Sequence, residues 1–522
     1  MRGLRLFLPL ILSSLLLFKP LGFAASASAS TLSNHIVGMY IHEHWPYNHP
    51  YAARTWTLDD WRGYADGLKK LGFNAIIIWP MIDIMPDPLT PSDKASLEKD
   101  SRVINMLHHE FGMRVMMVLT ANVVPDDKIA SQSTFQTRHF FYCDKHVNPA
   151  DPAAVAEMIR RRKKLMRYLA QVDGVAIIDS DPGGYPGSTD TEFVNLLVQH
   201  RKMLNEVRPG IELDYWVDWG WQTYGRFYKT GVLKKGKDSE FLDTLRQLRK
   251  ANPEPWGLAN GLSYAKQLGL QSRVISFNYG RIEAEPSFPM TNFGGNRAYR
   301  AGSEPGPRGV MGNAQTHCVQ LPNTFAFARG ATGKNPPVKA DYIRFANELI
   351  EGRGQVIVEG WEAVSGTDSA GMRRAVSDLR NADAGKLVTG PLRGLLFGDP
   401  HRFLNDLIMQ LDAKAAYEDF LAASNRNQNV KPALAAFVDA ASIWQQQNGF
   451  QGDWHWAGMQ AALEKLHSPE IDDIYRVNVC LLTCPPGAMP MGYKDVKDFL
   501  YRDETMTTRL LSAMRDTLRT MP

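Results

Sequence analysis

The chain has 522 residues, of which 44% are hydrophobic and 22% are charged, a balance that is typical of a soluble globular protein. This length exceeds what one hydrophobic core usually supports, so we expect two domains. The formal net charge is +4, but residues 1–30 hold three basic and no acidic side chains, which leaves 56 basic against 55 acidic residues. Such a balance does not indicate a nucleic-acid or anionic-surface partner.

Residues 1–30 have the pattern of a secretory signal peptide. Arg2 and Arg5 precede an apolar run at 6–18, and small residues follow at 24–30, as signal peptidase requires. Lys19 and Pro20 end the run before it reaches the roughly 20 residues that span a bilayer. We therefore predict an exported protein, periplasmic or extracellular, with no membrane segment after the signal is removed.

Residues 35–335 contain short β-rich runs separated by helix-length segments, the alternation typical of βα units around a parallel sheet. Eight such runs, of which the last has the weakest pattern, predict a closed (β/α)8 TIM barrel over residues 31–335. The runs are 36–45, 75–81, 114–120, 175–181, 211–219, 273–283, 309–315 and 324–329. After the first run, Thr57 and Asp60 have the spacing of a capping box and predict the start of a helix.

Residues 341–522 are nearly free of β-rich runs, and helical periodicity dominates them. We therefore predict an all-α C-terminal domain over 341–522. A cluster of Gly and Pro at 330–337 is the expected boundary between the two domains. The segment 352–358 is the exception, because its pattern fits a loop or an isolated strand.

Four cysteines, Cys143, Cys318, Cys480 and Cys484, are expected to form disulfides in an exported protein. Four thiols allow three pairings, and the sequence does not choose among them. We favour Cys480 with Cys484 beside a Pro-Pro-Gly turn, and Cys143 with Cys318 between barrel loops. No second C-x-x-C or H-x-x-x-H element accompanies them, so a zinc site is not expected.

The segment 174–185, Gly-Val-Ala-Ile-Ile-Asp-Ser-Asp-Pro-Gly-Gly-Tyr, is an apolar run that ends in two carboxylates. Residues two apart on a strand point to the same side, so we expect Asp179 and Asp181 to project together from its end. Barrel enzymes hold their catalytic groups at the carboxyl ends of the strands. Two alternatives stay open: an Asx-type turn at Asp181, or a pair that only binds sugar hydroxyls.

Carboxylates, amides and indoles also end the other predicted strands. Sugars stack their C–H faces on indoles and bind amides, carboxylates and imidazoles through their hydroxyls, so this mixture suits a carbohydrate. The candidates for substrate binding are His42, Glu43, Trp79, Asp214, Trp216, Asp218, Trp219, Asn278, Tyr279, Asn313, Gln315 and His317. For the aromatic residues among them, packing inside the protein is an equally compatible role.

At the level of architecture, over residues 35–520, the chain resembles the (β/α)8 glycoside hydrolases, especially the β-hexosaminidase-like and α-glucuronidase-like groups that carry a helical domain after the barrel. Chitinase-type barrels have a D-x-D-x-E run on strand four, but here Gly183 stands where the Glu is expected. Hexosaminidase-type barrels have adjacent acids there, whereas Ser180 separates the two acids of this chain. The chain fits the wide class and no named family. The resemblance implies no cofactor and no metal.

Glycosidic cleavage usually needs one protonated carboxyl group as acid and one ionised carboxylate as nucleophile or base. Two acids on one strand end separate their pKa values, because one charge disfavours the other. We predict Asp181 as the acid and Asp179 as an orienting or ionised neighbour. Glu283, Asp218 and Glu43 are the candidates for a more distant partner.

Two rival functions are compatible with the same residues. His42 and His44 match the H-x-H metal signature of amidohydrolase-type barrels, but the histidines and acid that those barrels need on later strands are missing. The second rival is a barrel that binds carbohydrate without cleaving it, which would have the same aromatic and amide residues. Only a carboxyl group with a raised pKa that reaches a glycosidic oxygen separates that protein from an enzyme.

Overall fold

The computed structural model describes residues 35–43, 48–138, 140–180, 182–230, 234–283, 293–314, 320–448, 459–471 and 506–522. The predicted signal peptide, Cys318, Cys480 and Cys484 lie outside the described residues, so export and the disulfide pairing stay predictions. Within the described part of the chain, no helix is both long enough and apolar enough to cross a membrane.

Eight parallel strands form a closed barrel, in the order β1-β10-β9-β8-β7-β6-β3-β2. This confirms the predicted (β/α)8 architecture. The barrel strands are β1 (Ile36–Ile41), β2 (Ala75–Ile78), β3 (Arg114–Thr120), β6 (Gly174–Ile178), β7 (Glu212–Trp216), β8 (Trp256–Ala259), β9 (Val274–Phe277) and β10 (Gly309–Ala314), and a separate antiparallel hairpin pairs β4 (Val123–Pro125) with β5 (Asp144–His146).

The helices between and beside the strands are α1 (Leu58–Leu71), α2 (Pro91–Phe111), α3 (Asp127–Ala130), α4 (Phe140–Cys143), α5 (Pro152–Met166), α6 (Asp190–Val207), α7 (Gln222–Thr230), α8 (Asp238–Ala251), α9 (Leu262–Gln267), α10 (Asn296–Ser303) and α11 (Leu321–Ala331). The capping box at the start of α1 is confirmed. Asp60 N–H donates to Thr57 Oγ1 at 3.1 Å and Thr57 N–H donates to Asp60 Oδ2 at 2.8 Å.

The predicted strand at 324–329 is wrong, because these residues belong to α11. Nearly every position of α11 is buried, so the helix lacks the polar stripe that reveals helical periodicity, and a short apolar run then resembles a strand. The eighth strand is instead β8, which has only four residues. A run this short gives almost no periodic signal.

The C-terminal region is helical, as predicted: α12 (Lys339–Leu349), α13 (Gly354–Val364), α14 (Ser369–Asp383), α15 (Pro400–Asn425), α16 (Lys431–Asn448), α17 (Met459–Glu464) and α18 (Met506–Thr520). The ambiguous segment 352–358 lies mostly in α13. Phe397 packs on Trp56 and Tyr64 at the start of the barrel, and one hydrophobic core runs from Ile36 to Ala415. The proposed domain limits stay predictions.

A second core joins the barrel loops to the last helices. Tyr51 and Tyr224 pack there with residues of α15, α16 and α18. The Tyr51 hydroxyl donates to Asp406 Oδ2 at 2.5 Å, and Arg402 donates to the same carboxylate at 2.8 Å. The loops on one side of the barrel are therefore bonded to the helical region.

Candidate active site

An aromatic cluster closes the inside of the barrel near the carboxyl ends of the strands. Tyr40 of β1, Trp216 of β7 and Phe277 of β9 contact one another edge to face, with ring centroids 4.9 to 6.1 Å apart. Because β1 and β7 lie four places apart around the barrel, their rings can meet only across its interior. We call the opening at the carboxyl ends of the barrel strands the mouth, and these three rings its floor. Trp216 is one of the predicted site residues. No described residue bonds the buried Trp216 Nε1–H.

His42 lies directly above this floor, with its ring centroid 4.3 Å from that of Tyr40. Burial lowers the pKa of His42 to about 3, so the imidazole is neutral at physiological pH and can bind a hydroxyl group. His44, its partner in the metal signature, lies outside the described residues. No cluster of three metal-type ligands occurs among the side chains that the structure describes.

Glu43 faces the opposite way and is buried beside Asp100 of α2, on the outside of the barrel. Burial, and then the neighbouring Asp100, raise the pKa of Glu43 well above its usual value, and burial raises the pKa of Asp100 to about 7. Glu43 Oε1 and Asp100 Oδ2 are both buried with no hydrogen-bond partner among the described residues. The structure therefore separates Glu43 from His42 and from the floor of the mouth.

Asp179 also points outward, because it follows Ile178, which pairs with the inward Trp216. Its carboxylate accepts hydrogen bonds from the Tyr215 hydroxyl at 2.9 Å, Ser180 Oγ at 2.9 Å, and the backbone N–H groups of Asp218 at 3.2 Å and Gly220 at 3.1 Å. Tyr215 packs on Phe193 of the outer helix α6. Burial raises the pKa of Asp179 to about 6. This carboxylate holds the loop after β7 in place.

The loop that follows Asp179 is fixed by further contacts. The carbonyl oxygen of Gly184 accepts from Asn122 Nδ2 at 2.9 Å, and His146 Nδ1 lies 3.0 Å from the same oxygen. A Cβ at Gly184 would lie 2.6 Å from the Trp221 carbonyl oxygen, so only glycine fits this close approach. Asp181, the predicted acid, lies outside the described residues, between two segments that the structure fixes.

Asp214 is far from the mouth. It lies two residues before Trp216, and its Oδ1 is 3.3 Å from Nη1 of Arg308, the residue that precedes β10. Arg308 also pairs with Glu212 at 2.7 Å, and Glu212 pairs with Arg114 at the start of β3. Burial and the neighbouring Glu212 raise the pKa of Asp214 to about 7. The structure thus places Asp214 in an ion cluster at the amino ends of the strands.

Glu283 and Asn313 lie together at the end of β10. The backbone N–H of Glu283 donates to the Asn313 carbonyl oxygen at 3.2 Å, and Asn313 Nδ2 donates to the Glu283 carbonyl oxygen at 2.8 Å. Glu283 is 3% exposed, and Asn313 Oδ1 is buried without a hydrogen-bond partner in the described chain. These contacts bring two predicted site residues together. Gln315 and His317 lie outside the described residues.

Of two further tryptophans predicted to bind substrate, Trp79 packs inside the protein and Trp219 is partly exposed. Trp79 is buried, donates from Nε1 to Asp83 Oδ2 at 3.1 Å and packs on Phe140. Trp219 is partly exposed, and its carbonyl oxygen accepts from Thr223 Oγ1 at 2.7 Å. Of these two indoles, Trp219 is the one with surface available to a ligand.

A cavity of about 300 Å³ opens at the carboxyl ends of β7, β8 and β9. It brings together two predicted site residues, Asp218 and Asn278, and adds residues that follow the missed strand β8. Tyr279, 43% exposed, follows Asn278 directly. Six of the lining residues are Asp218, Asn260, Ser263, Tyr264, Phe277 and Asn278. The signal for Asn260 was weak: a polar residue after a four-residue apolar run.

No protein-family model matches the sequence, and no curated protein sequence matches it. Solved structures with a similar fold include a GH138 enzyme targeting pectin rhamnogalacturonan II, with 10% identity and a TM-score of 0.42 over 79% of this chain. This chain spans 62% of that enzyme's length.

Two further similar structures carry the names CpGH84D and O-GlcNAc hydrolase mutant, the latter from Thermobaculum terrenum. The first has 9% identity and a TM-score of 0.43, over 82% of this chain and 73% of its own. The second has 10% identity and a TM-score of 0.42, over 79% of this chain and 88% of its own. The strand order of the closed barrel itself establishes the (β/α)8 fold, which is the fold of the glycoside hydrolases that the sequence resembles.

Proposed function

We propose that the protein is an exported glycoside hydrolase that cleaves an oligosaccharide or polysaccharide by carboxylate acid/base catalysis at the mouth of the barrel. The observation that carries this proposal is the set of groups that lie near the carboxyl ends of the barrel strands. These groups are the aromatic floor, the neutral imidazole of His42, several amides and the carboxylate of Asp218, and sugars bind to such a mixture. The carboxyl ends of the strands are also where (β/α)8 enzymes place their chemistry.

The carboxylates have unequal roles in this proposal. Asp181 is the acid, and Asp218, which lines the cavity beside the mouth, is the first candidate for the ionised partner. Glu283 is the second candidate, because its segment is bonded to the end of β10. Asp179 is a positioning residue, since four protein donors surround its carboxylate. Glu43 is less suited, because it lies beside Asp100 on the outside of the barrel.

The test is hydrolysis of a broad panel of natural glycans and aryl glycosides by the purified protein. Asp181→Asn and Asp218→Asn are expected to lower kcat at least about a hundredfold, the size of a lost acid or base contribution, with an unchanged thermal midpoint. Asp59→Asn is the control, because that side chain is 90% exposed on α1. Full activity in Asp181→Asn would remove Asp181 from the acid role.

A second candidate function is a barrel that binds carbohydrate without cleaving it. One observation favours it: Asp179, half of the predicted acid pair, has its carboxylate occupied by protein donors. In the same panel, saturable glycan binding without turnover by the unmodified protein would select this function. Turnover that is lost in Asp181→Asn would select the hydrolase.

The inferred export rests on the sequence of residues 1–30. Cell fractionation followed by N-terminal sequencing is the test, and we expect a mature chain that starts close to residue 30, outside the cytoplasm. A cytoplasmic protein that keeps Met1 would contradict export and leave the hydrolase proposal unaffected.

A further inference from the structure

We propose that the cavity at the ends of β7, β8 and β9 is a subsite for one uncharged sugar ring of the substrate, and that it discriminates against uronic acids. This inference rests on the proposed function, since it names the sugar class that the same opening accepts. It also assigns a function to the loop after β8.

The cavity adjoins the mouth. Phe277, which lines it, belongs to the aromatic floor with Tyr40 and Trp216. Asp218 and Asn278 follow the strands that carry Trp216 and Phe277, so each stands one or two residues from the floor. In this proposal, a sugar in the cavity lies next to a sugar above the floor, with Phe277 as the residue that the two sites share.

The walls of the cavity are fixed before any ligand binds. Asn260 Nδ2 donates to the Val217 carbonyl oxygen at 3.0 Å and Asn260 N–H donates to the Ile275 carbonyl oxygen at 2.9 Å, which bonds the β8 end to both neighbouring strands. Gly261 has a φ of +74°, and a Cβ there would lie 2.9 Å from Val217 Cγ2. Asp179 holds the backbone of Asp218 from behind. A site built in this way loses little conformational entropy on binding.

The size and chemistry of the cavity suit a single sugar ring. Its volume, about 300 Å³, is at the lower end of the range for small-molecule pockets, roughly 300–1,000 Å³. Tyr264 supplies an aromatic wall that is stacked on Phe241 at 4.8 Å. Ser263 and Asn278 supply a hydroxyl and an amide for sugar hydroxyls.

The charges around the cavity oppose an anion. Two carboxylates, those of Asp218 and Glu304, and one ammonium group, that of Lys235, line it. A uronic acid would add a third carboxylate to this surface, and like charges repel across partly exposed sites. A neutral ring has no such cost, so we expect the cavity to select neutral sugars.

The experiment compares two oligosaccharides that are identical except for one uronic acid in place of a neutral sugar, by isothermal titration and by kcat/KM. The unmodified protein is expected to prefer the neutral member about tenfold. Glu304→Gln is expected to reduce that preference about threefold, the effect of one exposed charge. Equal or better binding of the uronic acid would overturn the proposal.

A blocking variant tests the location. Ser263→Trp is expected to weaken binding of the neutral oligosaccharide about tenfold, because the indole occupies the opening. The control is Ser272→Trp, the same substitution at an exposed residue before β9, which is expected to change neither binding nor the thermal midpoint. Equal binding by the two variants would overturn the subsite.

The two proposals fail in different ways. Binding that follows the predicted preference without any turnover would contradict the hydrolase and support the subsite. Turnover of both oligosaccharides with no effect of Ser263→Trp would support the hydrolase and contradict the subsite.

Discussion

A buried aspartate lies near each end of the barrel, but the groups that contact its carboxylate differ between the two ends. At the carboxyl end, Asp179 is held by hydroxyl and backbone N–H groups, and at the amino end Asp214 is held by the guanidinium of Arg308. The neutral donors around Asp179 fix the loop after β7, which carries Asp218 into the lining of the cavity. The ion pairs around Asp214 connect the amino ends of β3, β7 and β10. An aspartate in the sequence therefore does not reveal whether its carboxylate positions a loop or belongs to an ion cluster that holds the strands together.

A large effect on stability is expected at the amino end of the barrel. Arg308→Met is expected to lower the free energy of unfolding by about 3 kcal/mol, because it leaves the buried carboxylate of Asp214 without its cationic partner, whereas Glu212 keeps Arg114. Urea unfolding at neutral pH measures the change. Arg300→Met, at an exposed position of α10, is the control and is expected to change stability by less than about 0.5 kcal/mol. An equally mild effect of Arg308→Met would contradict the ion-cluster interpretation.

The corresponding change at the carboxyl end is Asp179→Ala. It leaves the Tyr215 hydroxyl and two backbone N–H groups without acceptors, each worth about 1 kcal/mol or more when buried. We expect a loss of about 2–4 kcal/mol by urea unfolding, together with weaker substrate binding, because Asp218 loses its support. Asp59→Ala is the exposed control. Unchanged binding in a folded Asp179→Ala protein would contradict the positioning role.

Stability should fall as the pH rises, because of Glu43 and Asp100. Burial raises the pKa of both groups in the folded protein, whereas in the unfolded chain they titrate near 4. The folded state therefore holds its protons more tightly, and stability is lost as the pH rises from about 4 to about 7. Asp100→Asn is expected to raise the free energy of unfolding at pH 8 by about 2 kcal/mol.

Thermal unfolding from pH 5 to pH 8 measures this dependence. Asp179 and Asp214 also have raised pKa values and act in the same direction, so the slope should shrink in Asp100→Asn without vanishing. Glu98→Gln, on the exposed side of α2, is the control and should keep the full slope. An equal pH dependence of stability in Asp100→Asn and in the unmodified protein would contradict the interpretation that Glu43 and Asp100 hold protons in the folded state.

The smallest effect on stability is expected when either of two buried tryptophans, Trp216 or Trp256, is replaced by Phe. Trp216 at the mouth and Trp256 at the amino end each bury an indole N–H that no described residue bonds, and Arg273 covers the Trp256 ring at 4.1 Å. Trp216→Phe and Trp256→Phe should each lower stability by about 1 kcal/mol, because the cavity left by the smaller ring is partly offset by removal of an indole N–H without a described partner. Only Trp216→Phe should weaken glycan binding, measured by titration. Equal binding losses in both would contradict Trp216 as part of the floor.

Several predictions from the sequence depended on the direction and depth of a side chain in the barrel, which the sequence does not specify. The alternation along 174–181 predicts that Asp179 and Asp181 share a side, but it does not tell which side faces the barrel interior. Because Ile178 pairs with the inward Trp216, Asp179 lies on the outer side with Tyr215. Asp214 and Trp216 are two residues apart on β7, so strand alternation puts them on one side, yet they lie at different depths of the barrel. Depth depends on how the strands are staggered, which one strand alone does not encode.

The barrel class, the helical C-terminal region and the capping of α1 could be predicted from the sequence, because alternation of strands and helices, hydrophobic periodicity and capping residues are local patterns. The sequence also placed Trp216, Asp218 and Asn278 at the ends of strands. The tertiary structure decided that Asp179 supports a loop, that Asp214 belongs to an ion cluster and that the loop after β8 lines a cavity. Each of these depends on residues from two or more elements that meet only in the folded barrel, and local patterns carry no information about those contacts.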